Sequence, residues 1–324
     1  MPKAIRFSQT GGPEVLRVED VAAGEPGEGQ ARVRHTAIGV NFIDTYHRSG
    51  LYPLPLPSGL GSEAAGVVEA VGKGVAHIQA GDRVAYAGGP PGSYSEVRLM
   101  PADRLLKLPA GISDQQAAAM MLKGMTVQYL IRRTYKVQAG ETVLWHATAG
   151  GVGLIACQWL KALGVTVIGT VGSAEKAEIA KAHGCTHAID YTREDFVQRV
   201  REITGGQRVP VVYDSVGKST FAGSLDCLRP FGLLVSFGNA SGAVPPFELG
   251  ILAPKGSLYV TRPTLATYTA TRSDLEATAR DLFDVVLSGK VKIEVHRTYR
   301  LADAQQVHRD LEGRQTTGSV VMVP

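Results

Sequence analysis

Two clusters carry residue types and spacings that could do chemistry. The first is Ala147-x-x-Gly150-x-x-Gly153, directly after the apolar run Thr142 to Trp145 and at the head of an apolar helix reaching Leu163. A strand, a glycine-rich turn and a helix in that order make a cradle for a pyrophosphate. Glycine at 150 lets the backbone approach an anion closely, and glycine at 153 lets helix and strand pack tightly. The helix N-terminus adds free N–H groups and the positive end of its dipole. The stretch Ala149, Gly150, Gly151 and Val152 is the candidate contact. Ala147 stands where the usual fingerprint has its first glycine. The second cluster lies at the next strand tip, Thr170-Val171-Gly172-Ser173. An NAD-binding chain usually places Asp or Glu about 20 residues beyond the turn, to accept from the ribose 2′-hydroxyl. No acid stands at this tip. Ser173 offers a hydroxyl, Lys176 a cation one helical turn later, and Tyr191 a second hydroxyl past the following strand. That set suits a 2′-phosphate, and the expected cofactor is NADPH.

The elements that must position these residues follow from the patterning. From Lys3 to about Lys123 short strands alternate with Gly/Pro turns: Ala4 to Phe7, Gln30 to Ala37, Glu63 to Val71, Arg83 to Tyr86 and Ser93 to Leu99. Strands and helices then take turns: Val165 to Val171 (strand), Ala174 to Ala182 (helix), Ala188-Ile189 (strand), Arg193 to Thr204 (helix) and onward through Ser257 to Val260. Strands separated by helices imply parallel crossovers, hence a doubly wound α/β sheet that binds its ligand at the strands' carboxyl ends. Ser215, Phe237-Gly238-Asn239 and Val260-Thr261-Arg262 occupy such ends. A helix at Leu275 to Leu287 and a strand-like Ser319 to Val323 complete the chain, with the tail expected to return to the first domain. The expected division is 1–123 with 264–324, and 124–263 between them.

Composition bounds the rest. At 324 residues two domains are the prior. No apolar run approaches the roughly 20 residues that span a bilayer. The start, Met1 to Phe7, lacks a signal-peptide core. Three scattered cysteines (Cys157, Cys185, Cys227) suit a reducing cytoplasm better than a disulfide framework. A net charge of +4 is too small and dispersed to point to nucleic acid.

These residues, with Asn41-Phe42-Ile43-Asp44-Thr45-Tyr46, Gly61-Ser62-Glu63-Ala64-Ala65-Gly66 and Ala80-Gly81-Asp82-Arg83-Val84, resemble the medium-chain dehydrogenase/reductase superfamily. Within it the chain is most similar to the ζ-crystallin-related NADPH:quinone oxidoreductases, along His146 to Val171, Val211 to Val216, Leu234 to Ala243 and Lys255 to Pro263. The resemblance implies a GroES-like, mostly β substrate domain built from both chain ends, with a Rossmann NADPH-binding domain inserted and the active-site cleft between them. It also implies that Asn41, Phe42, Asp44 and Tyr46 face the nicotinamide, that Tyr52 faces the substrate, and that Thr126 meets the cofactor. Tyr129 opens the same junction helix. Arg262 and Arg314 are brought toward the cofactor, Arg314 near phosphate.

Zinc-dependent members of the superfamily carry cysteine where this chain has Asn41 and histidine where it has Ser62. Glu63 persists, but one carboxylate cannot build a tetrahedral zinc site, which wants three protein ligands and an open position. The cluster His183-Gly-Cys185-Thr-His187 falls at a helix-to-strand connection where a polar loop is expected. The enzyme is therefore expected to be metal-free, and without a Lewis acid alcohol oxidation is disfavoured. Hydride delivery to an electron-poor acceptor needs orientation and a dry cavity. A quinone fits, with Tyr52 and Tyr46 the candidate catalytic residues. An α,β-unsaturated carbonyl is the alternative, and a ζ-crystallin-like RNA-binding or structural role is the alternative of a different class. The apolar Ser257-Leu258-Tyr259-Val260 is expected at a sheet edge that pairs in a homodimer.

Overall fold

The computed structural model describes residues 1–324. In chain order it runs β1 (Lys3–Phe7), β2 (Arg17–Asp20), β3 (Gln30–Gly39), α1 (Phe42–Ser49), β4 (Ser58–Gly59), β5 (Glu63–Val71), β6 (Arg83–Ala87), β7 (Val97–Pro101), β8 (Leu106–Lys107) and α2 (Asp114–Tyr129). There follow β9 (Thr142–Trp145), α3 (Gly151–Ala162), β10 (Thr166–Val171), α4 (Ala174–Ala182), β11 (His187–Asp190), α5 (Phe196–Ile203), β12 (Val209–Asp214), α6 (Phe221–Asp226), β13 (Leu228–Ser236), β14 (Tyr259–Thr261) and α7 (Leu265–Tyr268). The tail adds α8 (Arg272–Leu287), β15 (Val295–Arg300), α9 (Ala304–Glu312) and β16 (Ser319–Val323).

The chain divides into two compact units. One comprises Met1–Met125, Thr269–Leu287 and Ile293–Pro324; the other comprises Thr126–Tyr268 and Ser288–Lys292. The first division therefore falls inside α2. The second falls five residues beyond position 264, and Ser288–Lys292 joins the inserted unit. There Gln158 Nε2 donates to the Lys292 carbonyl and the Lys292 N–H to Gln158 Oε1.

The first unit is mostly β. A sheet of order β15-β16-β3-β5-β6-β8 has β7 paired beside β3, and a small sheet of order β2-β1-β4 accompanies it. Along β3, Ala31, Val33, His35 and Ala37 are buried at every second position, the period of a strand with one face on a core. The strand expected at Ser93 begins only at Val97. Gly92 takes a left-handed φ of 133° and its carbonyl accepts from the Ser95 hydroxyl, so before Val97 the stretch makes only an isolated antiparallel bridge, Ser95 to Ala4 of β1.

The second unit holds a six-stranded parallel sheet of order β11-β10-β9-β12-β13-β14, the doubly wound order. Its central strand β12 is buried at all six positions, as expected where helices cover both faces. Beneath it Trp145 stacks on Tyr213 at 4.5 Å. The helix expected from Arg193 starts at Phe196 because the Asp195 side chain accepts from the Val197 and Gln198 N–H groups, which caps it there.

Candidate functional site

In the first unit the site grows from the junction of β3 and α1. Glu63, the first residue of β5, is wholly buried. Its Oε1 accepts from the Leu122 N–H at 2.7 Å, and its Oε2 accepts from Asn41 Nδ2 at 2.8 Å and from Lys123 Nζ at 3.3 Å. The Lys123 ammonium also donates to the Val40 carbonyl at 3.1 Å. Room for this carboxylate comes from Gly39, where a Cβ would lie 2.3 Å from Glu63 Oε2 and 2.2 Å from the Ala118 carbonyl. A carboxylate with both oxygens engaged, an amide, a hydroxyl at Ser62 and an ammonium do not make a zinc ligand set. The positive charge that the Glu63 carboxylate meets here is the Lys123 ammonium. No three His, Cys, Asp or Glu side chains converge elsewhere. In the His183–His187 cluster, His183 Nδ1 bonds the Ile179 carbonyl and the Cys185 thiol lies against the Val167 and His187 carbonyls.

One residue into the helix, a second buried carboxylate organises the same corner. The Asn41 N–H donates to Asp44 Oδ2 at 2.8 Å, which finishes the start of α1. Tyr94 donates to the same oxygen at 2.9 Å, while Asp44 Oδ1 has no hydrogen-bond partner. The direction of the remaining bonds is fixed by chemistry. Arg48 NH1 lies 3.0 Å from His308 Nδ1, and a guanidinium can only donate. Nδ1 therefore accepts, the imidazole proton sits on Nε2, and Nε2 donates to the Tyr94 oxygen at 3.3 Å. Because Asp44 and Arg48 lie one turn apart on α1, these four side chains close a ring. Arg48 is anchored outside it by Glu312, at 2.6 and 3.0 Å, and by the Gly11 carbonyl. Burial pushes the Asp44 carboxyl up to about 7, against the pull of the Asn41 and Tyr94 hydrogen bonds and of Lys123. Burial and the neighbouring Arg48 hold His308 down to about 3, so it stays neutral.

This braced helix carries an aromatic row. The Phe42 and Tyr46 rings lie 6.2 Å apart, and Tyr52 meets Tyr46 edge-on at 5.2 Å. The Tyr52 N–H donates to the Tyr46 carbonyl, and His47 Nδ1 lies 3.2 Å from the Tyr52 carbonyl. Asn41, Phe42, Asp44, Tyr46 and Tyr52 thus share one neighbourhood. Arg314 follows the end of α9 in a left-handed conformation, φ 57°.

In the second unit, α3 starts at Gly150 with no side-chain cap and no acid in its first turn. A Cβ on Gly150 would meet only the Ala147 carbonyl, at 3.3 Å. On Gly153 it would lie 2.5 Å from that carbonyl and 2.6 Å from the Thr148 backbone. Glycine at 153 is thus demanded by the fold, while the position at 150 is much less crowded. Ala147 takes a φ of 58°, a conformation that costs a non-glycine residue about 1–2 kcal/mol. The Gly150 N–H bonds the Ala147 carbonyl at 3.0 Å, and the Ala147 N–H reaches Thr170 Oγ1 at 3.3 Å.

At the neighbouring tip, Ser173 caps α4 by accepting from the Lys176 N–H, and the Tyr191 hydroxyl lies over Gly172, where a Cβ would approach it to 2.7 Å. Gly172, Ser173, Lys176 and Tyr191 are therefore neighbours. The other strand ends are equally close-set. A Cβ on Gly238 would strike the Ser215 carbonyl at 2.4 Å, and Arg262 donates to Ser236 Oγ and to the Gly238 carbonyl, both at 3.0 Å. Phe237 packs edge-on against Trp145, the Asn239 carbonyl accepts the Gly242 N–H, and Val260 and Thr261 pair with Leu234 and Val235. Tyr129 is buried and stacked on Tyr268 at 4.6 Å, and Thr126 is its hydrogen-bond neighbour.

Sequence reasoning missed Lys123, Arg48, Tyr94 and His308. Lys123 carried one usable signal, a cation inside the otherwise apolar run from Ala117 to Met125. The other three carry none that is local.

Comparison with known proteins places this geometry among relatives. Residues 27–110 match the alcohol dehydrogenase GroES-like domain and residues 151–284 the zinc-binding dehydrogenase family. The chain is 58% identical over 325 residues to a quinone oxidoreductase of Pseudomonas aeruginosa, with 100% of both chains covered. It is 48% identical over 335 residues to a 2-haloacrylate reductase of a Burkholderia species, covering 100% of this chain and 99% of the relative. The crystal structure of Escherichia coli quinone oxidoreductase complexed with NADPH superposes with a TM-score of 0.98 at 55% identity, covering 99% of this chain and 100% of that one.

Proposed function

The chain belongs to the quinone oxidoreductases of the medium-chain dehydrogenase/reductase superfamily, and on that premise we propose that it is a zinc-free, NADPH-dependent reductase whose acceptor is a quinone. The single observation that carries the cofactor reading is the uncapped start of α3 at Gly150, together with a strand tip that bears Ser173, Lys176 and Tyr191 and no acid. The backbone of Ala149, Gly150, Gly151 and Val152 holds the pyrophosphate. Gly172, Ser173, Lys176 and Tyr191 hold the 2′-phosphate, and Arg314 adds a cation for phosphate. Ser215, Phe237, Gly238, Asn239, Val260, Thr261 and Arg262 receive the riboside end. Asn41, Phe42, Asp44, Tyr46, Thr126 and Tyr129 serve the nicotinamide. NADPH supplies the hydride.

What the chain itself contributes is orientation and exclusion of water. Tyr46 and Tyr52 flank the acceptor, and Tyr52 donates a hydrogen bond to its oxygen. With no metal site to polarise an alcohol, an electron-poor acceptor is the substrate this chemistry serves. The similarity to a 2-haloacrylate reductase gives a second reading, reduction of an activated enone in the same site. Initial rates with NADPH across a panel of quinones and enones decide between them: quinones should lead, and an enone turned over faster would overturn the first reading. Lys176→Ala should cut the preference for NADPH over NADH by about tenfold, or about 1.4 kcal/mol.

The chain works as a homodimer in this reading. Strand β14 is the sheet's edge, its Tyr259 is 60% exposed, and Leu249 and Phe247 nearby in sequence are exposed as well. Two-fold pairing of that edge would cover it, and a monomer by light scattering at micromolar concentration would refute it. No helix is long and apolar enough to cross a membrane, and the three cysteines are free thiols; a cytoplasmic setting suits them.

A further inference from the structure

His146, the residue that follows β9, is wholly buried in the inserted unit, and its ring meets Phe196 edge-on at 5.1 Å. Its Nδ1 lies 2.9 Å from Thr170 Oγ1 and its Nε2 3.0 Å from Ser224 Oγ. The direction of each bond follows by elimination. The Ser224 hydroxyl has one hydrogen and donates it to Asp214 Oδ2 at 2.9 Å, so toward His146 it must accept. The imidazole proton is therefore on Nε2. Burial holds the ring's pKa down against the pull of Asp214, and on a neutral ring the bare Nδ1 accepts. Thr170 then spends its hydrogen on Nδ1, and its oxygen is left to receive the Ala147 N–H at 3.3 Å. A chain of directed hydrogen bonds thus links Ala147 to Asp214.

Each end of the chain holds a loop. Thr170 pins the glycine turn twice, since its hydroxyl oxygen takes the Ala147 N–H and its carbonyl takes the Thr148 N–H at 3.1 Å. At the other end Asp214 Oδ1 gathers the Val216 and Gly217 N–H groups at 2.8 and 3.0 Å and the Thr220 hydroxyl at 2.9 Å. That shapes the loop on which Ser215 stands. The chain also crosses the sheet where its order turns: β9, β10 and β11 lie to one side, and β12, β13 and β14 to the other. A doubly wound sheet opens its crevice for a dinucleotide at this point. The backbone link between β9 and β12 reaches as far as the His146 N–H on the Tyr213 carbonyl, at 3.0 Å. Beyond it the side chains take over.

We infer that His146 is a positioning residue for the dinucleotide: it ties the phosphate-holding loops at the tips of β9 and β10 to the riboside-holding loop after β12. A ligand that spans both halves of the sheet then meets them at a fixed spacing. This rests on the cofactor reading above and adds the device that holds the two half-sites in register.

A spacing device matters to a ligand that bridges both halves and not to one that occupies a single half. Two variants cut the chain on the riboside side and leave the glycine turn pinned. Ser224→Ala removes the acceptor of Nε2. His146→Asn keeps an acceptor near the former Nδ1 for Thr170 but is too short to reach Ser224. In both, the dissociation constant for NADPH, read by fluorescence titration, should rise up to about tenfold, the worth of one neutral hydrogen bond. The constant for adenosine 2′,5′-bisphosphate, which reaches only the turn and the tip of β10, should change by less than about twofold. Nitrogen-15 NMR of the wild-type protein should find the His146 ring neutral with its proton on Nε2.

Wild-type NADPH affinity in either variant would overturn the inference, as would an equal loss for NADPH and the bisphosphate, the mark of a merely loosened fold. A proton on Nδ1 would break the chain of donors and overturn it whether or not the variants fold. Gly150→Val separates the two layers. If it binds NADPH as wild type does, the cofactor reading fails and the inference with it. If it abolishes binding while Ser224→Ala and His146→Asn bind as wild type, only the tie through His146 fails.

Discussion

Two helices in this chain begin in opposite ways. At α1 the protein finishes the start itself: the Asp44 carboxyl accepts the Asn41 N–H. At α3 nothing finishes it: the cap is Gly150, no side chain caps it, and a Cβ there would meet only the Ala147 carbonyl. Both are helix N-termini, yet one is closed by an acceptor of the protein's own and the other leaves its donors for an outside anion. The difference is one of residue choice at the cap and the third helical position. A start completed internally can brace side chains, here Asn41, Phe42 and Tyr46. A start left incomplete can bind.

Bulk at the open start should break this contrast hardest. Gly150→Val meets only the Ala147 carbonyl, so the fold should survive with Tm changed by less than about 5 °C, under about 1 kcal/mol. NADPH binding should weaken by at least about a hundredfold, roughly 2.7 kcal/mol, in the same titration. Gly153→Val should do the reverse, costing about 3 kcal/mol of stability or more because its Cβ strikes backbone at 2.5 Å. Equal melting losses in the two variants would erase the distinction between a binding glycine and a packing glycine.

At the closed start, Arg48→Met opens the ring of Asp44, Tyr94, His308 and Arg48 and strands His308 Nδ1 and Glu312. Urea denaturation should register a loss of about 3 kcal/mol; a loss below about 1 kcal/mol would mean that the ring does not brace α1. A smaller effect is written in pH. The Asp44 carboxyl, raised from 3.8 to about 7, keeps a proton in the folded chain that the unfolded chain has released between those values. Its contribution is therefore full below pH 3.8 and is lost as pH rises through about 7. His308, lowered from 6.5 to about 3, works the other way: its contribution is full above pH 6.5 and is lost on acidification. Asp44→Asn removes only the first effect. It should out-melt the wild type at pH 8, by roughly 1–2 kcal/mol, and lose that lead by pH 5. A lead that grew toward pH 5 would show Asp44 ionised throughout.

The least change is expected at Ala147. Ala147→Gly relieves the left-handed strain but frees the unfolded chain, and the two offset to within about 0.5 kcal/mol. NADPH affinity should stay as it was.

The open start was legible in the sequence because everything it needs is local: a strand, a turn and a helix in close succession, with glycines wherever a side chain would obstruct. Ala147 departs from the fingerprint by residue type but keeps the left-handed backbone that the first glycine would have adopted. The alternation of strands and helices from Thr142 onward was legible for the same reason. The closed start was not. Its ring joins Asp44 to Tyr94 across 50 positions, Tyr94 to His308 across 214 and Arg48 to His308 across 260, and no periodicity records such pairs. Glu63 was noticed as a lone carboxylate, but its partner Lys123 was assigned no role, because burial of a cation is a tertiary fact. The helix start at Asp195 was missed through local competition, since a capping aspartate claimed the first turn.

The ring also has a bearing on how the protein is made. Its members at 44, 48 and 94 leave the ribosome early, but His308 and Glu312 come last, as does β16, which pairs with β3 through Met322 and Val321. The stretch Thr126–Tyr268 forms most of its own unit as one uninterrupted segment. Domains ordinarily complete in the order in which they are translated. Here the order is inverted: the inserted unit can build its parallel sheet while synthesis continues, whereas the first unit waits with Arg48 short of its partners until His308 and Glu312 are made.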